Sequence, residues 1–408
     1  MQRSAQLKER VAAAIDSLKS LLVEVSRNIH ANPEVGFHEY RAANLLVGVL
    51  GKAGFEVTRG LAGLETAFLA EYGPGDYSEP PVKVALLAEY DALPGIGHAC
   101  GHNLIAAAGL VAALGLARLE SDLPGRVTLI GTPGEESGGG KVILSRRGAF
   151  DGMQAVMMVH PANANSLNGG SLALDAIEFV YRGRPAHAAS NPERGVNALD
   201  AVIQLFNGIN ALRQHLPTDV RIHGIITEGG TAPNVIPERA AAQFYVRAEE
   251  RSRLDEVVAK VLRVAEGAAQ MTGATLEHRK FEESLDNVWT NEALVEAFAT
   301  NLRGLGITQF AKGKDGKGST DMGNVSHIVP AIHPYLAICS PEVVGHTREF
   351  AQACATDQAH HAVLTGAKAM AFTALDLMLD AGLRSRVTNE FRGREKRSAS
   401  GRKTASLR

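Results

Sequence analysis

The chain has 408 residues, 45% hydrophobic and 21% charged, an ordinary globular composition and enough length for more than one domain. A net charge of −2 gives no basic surface for nucleic acid, and three scattered cysteines (Cys100, Cys339, Cys354) cannot build a disulfide framework. The near-neutral total is uneven: residues 384–408 hold nine basic and two acidic side chains, a net of +7, so residues 1–383 carry −9.

From the amino terminus, MQRSAQLKERVAAAIDSLKS reads as a charged amphipathic helix without the apolar centre of a signal peptide. The longest apolar run, residues 104–117, has 14 residues, short of the roughly 20 that span a bilayer, and a cytoplasmic location is expected. Helical spacing continues through AAAIDSLKSLLVEVSRNIH and EYRAANLLVGVLGKAG. PVKVALLAEYD (81–91) is near-continuously apolar, as strands buried on both faces of a parallel sheet are. A helix (104–119), a strand RVTLIGTP, a helix KVILSRRGAF and a strand AVMMVHP follow, the alternation of an α/β domain with a mostly parallel sheet between helices.

After residue 170 the order changes. LALDAIEFVYRG is a strand, 195–215 a helix, RIHGIITE and AAAQFYVRAE strands, 251–271 a helix and TLEHRKFEES a strand, which together suggest a small ferredoxin-like α+β module. The first pattern resumes with helix NEALVEAFATNLRGLG, strand AIHPYLAIC and helix 357–381. The expected organisation is a discontinuous α/β domain (1–170 and 285–383), an inserted module (171–284) and a basic, disordered tail (384–408) that is poor in apolar residues.

Functional residues of an α/β sheet gather past the carboxyl ends of its strands. There this sequence places Glu89, Asp91, His98, Cys100 and His102, then Glu135 and Glu136 in GTPGEE, His160 in VMMVHP and, a few residues beyond YLAIC, His346 in GHTREF. Thiolate, imidazole and carboxylate are the ligand set of zinc and its neighbours. Taken alone, Cys100 could be a small buried filler and His102 a helix cap, and Glu135-Glu136 a solvated turn; convergence from four strand ends argues for metal. One of two adjacent glutamates can ligate while the other serves as a general base beside activated water. The loop glycines are expected to let backbone approach the ions. Phosphate-loop spacing fails, because Glu135 and Val142 stand where a Walker loop ending in Gly140-Lys141 needs glycine and Ser or Thr. GIGHACG likewise misses the dinucleotide fingerprint. In the module, His187 in RGRPAHAAS, Asn234 in APNVIP and Arg247 could together hold a substrate carboxylate or an oxyanion.

These residues resemble the dinuclear metal aminoacylase and carboxypeptidase family of metallopeptidases, over nearly the whole chain to about residue 381. EYDALPG looks like the family's His-x-Asp strand end with Glu89 replacing the histidine, and HACGHN like the amidohydrolase-branch variant in which Cys-x-His replaces a bridging aspartate. With GSTDMGNVSHIVPAIHP, the chain is most similar to β-alanyl-lysine-type dipeptidases and p-aminobenzoyl-glutamate hydrolase subunits. The resemblance implies ligation of two divalent ions, zinc with manganese or cobalt as alternatives, by Cys100, His102, Glu136, His160 and His346. It implies Glu135 as general base, Asp91 as an orienting carboxylate, His187 on the oxyanion, and Asn234 and Arg247 on the substrate carboxylate. The inserted module is then a lid and dimerisation domain, with His187 acting in its own chain or across a homodimer. The implied substrate is an N-acyl amino acid or dipeptide whose amide lies next to a free carboxylate, with a basic C-terminal residue favoured. The missing histidine at position 89 leaves the work of Asp91 open, and Glu89 could ligate or merely pack. The alternatives are a hydrolase subunit that needs a partner chain and a catalytically silent metal-binding homologue.

Overall fold

The computed structural model describes residues 2–73, 80–311 and 318–405, with side chains in the last helix as far as Lys396. Its strands, in chain order, are β1 (Glu56–Arg59), β2 (Phe68–Tyr72), β3 (Lys83–Ala88), β4 (Arg126–Gly131), β5 (Ala155–Met157), β6 (His160–Ala162), β7 (Ala173–Arg182), β8 (Arg221–Glu228), β9 (Arg239–Ala248), β10 (Thr275–Lys280), β11 (Ala331–Ile332) and β12 (Tyr335–Ala337). The chain divides into two units: one of Met1–Gly170, Val288–Lys317 and Asp321–Arg408, the other of Ser171–Asn287 and Gly318–Thr320.

In the first unit the apolar run around residue 85 becomes β3, buried at every position after Lys83 because it is paired on both edges and covered on both faces. The strand order is β1-β2-β4-β3-β5-β11. The ladders from β4 through β3 and β5 to β11 are parallel, while β2 runs antiparallel to β4 and β1 to β2. That antiparallel edge was not among the expected strands. The stretch read as one strand, AIHPYLAIC, is two: β11 extends the large sheet beside β5, and after His333-Pro334 β12 pairs with β6 in a separate two-stranded ladder. Helix His102–Ala117, apolar all round and buried at all 16 positions, lies on β3 and β4. Helix Asp357–Leu379 packs against it. Among the described residues it alone is long and apolar enough to cross a membrane, and 67% of its apolar window is buried in this core.

The expectation of a disordered tail is corrected for residues 384–396, which belong to helix Ala381–Ala405. Leu383 and Val387, four apart, are buried, and Glu390 accepts the backbone N–H groups of Glu292 and Ala293 at 2.9 and 3.0 Å. One helical stripe is enough to anchor a segment otherwise rich in basic and polar residues.

The second unit has the order strand-helix-strand-strand-helix-strand and a sheet β10-β7-β9-β8, antiparallel throughout, which is the ferredoxin-like arrangement. Helices Ala198–Arg213 and Arg251–Thr272 cover one face, burying Phe179, Tyr181, Phe244 and Val246. The unit runs three residues past the expected boundary at 284. Leu285 pairs with Leu174 and Asn287 Oδ1 accepts the Arg251 N–H, while Leu172 donates to the Gly318 carbonyl and so draws in 318–320.

Candidate metal centre

Three strand ends and one loop of the first unit supply the centre. Past β3, Asp91 is 1% exposed and accepts two hydrogen bonds, from His102 Nδ1–H at 2.8 Å and from the Glu136 N–H at 2.9 Å. Nδ1 of His102 thus carries the proton and Nε2 keeps its lone pair. At the end of the next ladder His160 Nδ1–H donates to its neighbour's carbonyl, Pro161 O, at 2.7 Å, and Nε2 faces Cys100 Sγ at 3.5 Å. His346 sits on the loop before helix Arg348–Ala353 with φ of 64°, an unusual conformation for a non-glycine residue, and its N–H is fixed on Ala99 O at 2.9 Å. From there Nε2 lies 3.3 Å from Glu136 Oε1.

The donor atoms of Cys100, His102 and His160 all lie within 4.8 Å of one another, as do those of Cys100, Glu136 and His346, and those of His102, Glu135 and Glu136. His102 Nε2 and Glu136 Oε1 are buried with no hydrogen-bond partner among the described residues, although a buried polar atom normally has one. Orphaned soft and hard donors converging in this way fit divalent ions. Without an ion, burial pushes the Cys100 thiol well up, with His102 opposing. Burial, then Glu89, Asp321 and Glu136, raise Glu135 well above the usual carboxylate range. Glu136 goes the other way: although burial opposes it, His346 beside it at 3.3 Å and, in the ion-free centre, a protonated His102 bring it to about 2.

The remaining strand-end residues have other work. His98 is buried and stacks on His30, ring centres 6.1 Å apart. Glu89 is ion-paired through Oε1 with Lys141 Nζ at 2.5 Å, while its Oε2 lies 3.3 Å from His102 Nε2. Lys141, fully buried, also meets Asp321 Oδ1 at 2.8 Å. Sequence reasoning missed this ionic cluster, treating Lys141 only as a failed phosphate-loop lysine, and missed His333, whose buried ring lies 5.3 Å from that of His160. The signal for His333 was its place just past β11, another strand end. The loop glycines do not face the donor atoms: a Cβ on Gly101 (φ +86°) would meet Pro161 Cγ at 2.3 Å, and one on Gly134 (φ +69°) the Phe37 ring at 2.9 Å. Their role is backbone conformation and close packing of the ligand loops.

In the second unit, His187 and Asn234 lie on adjacent loops, with His187 bridged to Val235 and Ala188 N–H donating to Asn234 O at 3.0 Å. His187 Nδ1 accepts the N–H groups of Ala189 and Ser190 at 3.2 and 3.1 Å, which leaves a proton on exposed Nε2. Arg247 keeps other company: it projects from β9 and donates to Ser319 Oγ at 3.0 Å.

A layered α/β sheet with such donors at its strand ends, interrupted by a ferredoxin-like module, defines a metal-dependent hydrolase of amide bonds. Residues 174–270 match the peptidase dimerisation domain family. The chain is 39% identical to the Xaa-Arg dipeptidase of Mus musculus over 95% of this chain and 92% of that protein. It is 32% identical to one of the p-aminobenzoyl-glutamate hydrolase subunits of Escherichia coli (strain K12), over 91% and 92%. A crystal structure of a dinuclear metal binding peptidase of the M20 family from Bacillus subtilis superposes with a TM-score of 0.69 at 21% identity, covering 89% of this chain and 99% of that one. The chain belongs to the M20 peptidase family, the family its motifs resemble.

Proposed function

We propose that the protein hydrolyses a dipeptide or N-acyl amino acid at the amide next to a free carboxylate, using two divalent ions. Cys100, His102 and His160 would hold one ion and Cys100, Glu136 and His346 the other, with the sulfur common to both. The observation that carries this reading is the pair of donor triads that share Cys100. When bound, such ions polarise a carbonyl group and bring the pKa of water toward neutrality. Glu136 rather than Glu135 is assigned as ligand because it joins Cys100 and His346 as well as His102. Asp91 aims His102 and, through the Glu136 N–H, fixes the turn that carries Glu135.

Glu135 is then the general base. It takes a proton from the attacking water on a carboxylate oxygen and passes it to the amine nitrogen as the C–N bond breaks. His102 favours its carboxylate form, against the burial and the neighbouring carboxylates that otherwise keep it protonated. His187 Nε2–H is a donor suited to the developing oxyanion, and Asn234 and Arg247 are assigned to the substrate carboxylate. A leaving residue of basic type, a homodimer, zinc as the metal with manganese or cobalt in its place, and a reducing cytoplasmic setting for the three free cysteines complete the proposal. The test is Glu135→Gln: kcat should fall about 10²–10⁴-fold while both ions are retained. Near-normal turnover would remove Glu135 from the mechanism.

A further inference from the structure

The open face of the β7–β10 sheet carries a cation, Arg247, and an anion, Glu282, that feel each other's charge but form no direct ion pair with each other or with another described residue. Along β9, Phe244, Val246 and Ala248 enter the helix-covered core, so Gln243, Tyr245 and Arg247 stand on the opposite face. Arg247 is half-buried; its guanidinium lies 5.5 Å from the Tyr245 ring centre, and its Nε is buried without an acceptor among the described residues. The guanidinium donates to the Ser319 hydroxyl at 3.0 Å, not to a carboxylate. Glu282, just past β10 and also half-buried, accepts the Tyr245 hydroxyl on Oε1 at 2.6 Å and has no cation paired with it among the described residues. Phe281 stacks on Tyr245, centres 5.8 Å apart and planes at 19°. Arg221, opposite Arg247 in the ladder, spends its guanidinium on the carbonyls of Thr218 and Val220.

A cation and an anion, each partly withdrawn from water and separated by one aromatic ring, are costly to leave unpaired. A ligand with an anion at one end and a cation at the other relieves both. We propose that this face recognises a C-terminal residue with a cationic side chain, its α-carboxylate on Arg247 and its guanidinium or ammonium on Glu282 Oε2. The assignment rests on the amide-hydrolase reading for the carboxylate at Arg247. Tyr245 is central to it: its hydroxyl orients Glu282, and its ring, with that of Phe281, offers a π face to the incoming cation. A C-terminal glutamate is excluded by the same geometry, because its second carboxylate would meet that of Glu282.

The test compares kcat/KM for Ala-Arg and Ala-citrulline, since citrulline is the neutral isostere of arginine. The wild-type ratio should be about 10–100, the usual worth of a hydrogen-bonded charge. In Glu282→Gln it should fall to within about threefold of one, and Glu282→Lys should turn the preference toward Ala-Glu. Tyr245→Phe, which removes the orienting hydroxyl, should lower the ratio less than Glu282→Gln does. Calorimetric binding of free L-arginine against L-citrulline reads the same difference without turnover, and melting temperatures show that each variant is folded. A wild-type ratio near one, or a folded Glu282→Gln protein that keeps the wild-type ratio, overturns the site and leaves the hydrolase reading standing. A wild-type protein that cleaves neither peptide overturns the hydrolase reading instead, and calorimetry then decides the site by itself.

Discussion

Asp91→Asn isolates the orienting carboxylate, because the side chain keeps its shape and loses a charge and one acceptor. Asp91 serves two donors, His102 Nδ1–H at 2.8 Å and the Glu136 N–H at 2.9 Å, and an amide has one oxygen to offer them. If that oxygen stays with Glu136, the amide NH₂ faces His102 Nδ1, and the imidazole must carry its proton on Nε2, the nitrogen an ion needs. If the oxygen turns to His102, the Glu136 N–H is left facing an NH₂ group, at about 1–3 kcal/mol for a buried unsatisfied donor. Either way ion affinity should fall about 10–100-fold, or about 1.4–2.8 kcal/mol at 1.4 kcal/mol per decade. Competition against a chromophoric chelator measures this directly, and melting in excess chelator checks the ion-free fold. An Asp91→Asn protein that binds two ions within about twofold of the wild-type affinity would refute the reasoning.

Cys100→Ser should release both ions on dialysis, since one sulfur serves both donor triads, whereas His346→Ala should release one; equal metal-to-protein ratios in the two variants would contradict the sharing. Glu39 is fully buried, accepting the Gly134 N–H at 2.8 Å and the Thr66 hydroxyl at 2.9 Å; burial, then Asp91, raise its pKa from 4.5 to about 7. A carboxyl with a raised native pKa supports the fold at low pH and loses that contribution as pH climbs from about 4.5 to about 7, up to about 3 kcal/mol. The melting temperature of Glu39→Gln in excess chelator should therefore gain on wild type across that range, and a pH-independent difference would count against it. Ending the chain at residue 383 removes buried Val387 and the Glu390 carboxylate, and should cost about 2–4 kcal/mol by denaturant titration; an unchanged midpoint would return the tail to the solvent.

The sheet was legible where burial makes a strand near-continuously apolar, as in β3 and β4, and the module where a strand alternates, as in the second half of β9. The antiparallel pair β1–β2 was not, because four residues such as Glu56–Arg59, three of them exposed, carry no period of their own and become a strand only beside β2. The C-terminal helix was hidden by composition: its charge outweighed two apolar residues four positions apart. At the site, ligand types at strand ends could be read directly, since chemistry and position coincide there. What those ends are bonded to could not. The Asp91–His102 hydrogen bond joins residues eleven apart, but the Lys141–Asp321 pair spans 180 positions and has no local signature.

That long-range pair also explains why a carboxylate can stand at position 89, where the family resemblance calls for an imidazole. A lone carboxylate buried there beside two glutamates would carry a large desolvation cost and simply hold a proton. Lys141 prevents this. Burial works against the charge, but the ammonium at 2.5 Å and then His102 bring Glu89 down to about 2. Lys141 is itself held by Asp321, which accepts from its Nζ at 2.8 Å and its N–H at 2.9 Å. The positions are therefore interdependent: removing one member of such a buried set leaves an uncompensated charge, at about 3–5 kcal/mol, whereas the intact set is nearly neutral in effect. Glu89 cannot be read alone, either as a substituted ligand or as filler. It is one end of an internal ion pair, and with no imidazole at position 89 to orient, Asp91 directs its hydrogen bonds to His102 and to the backbone of Glu136.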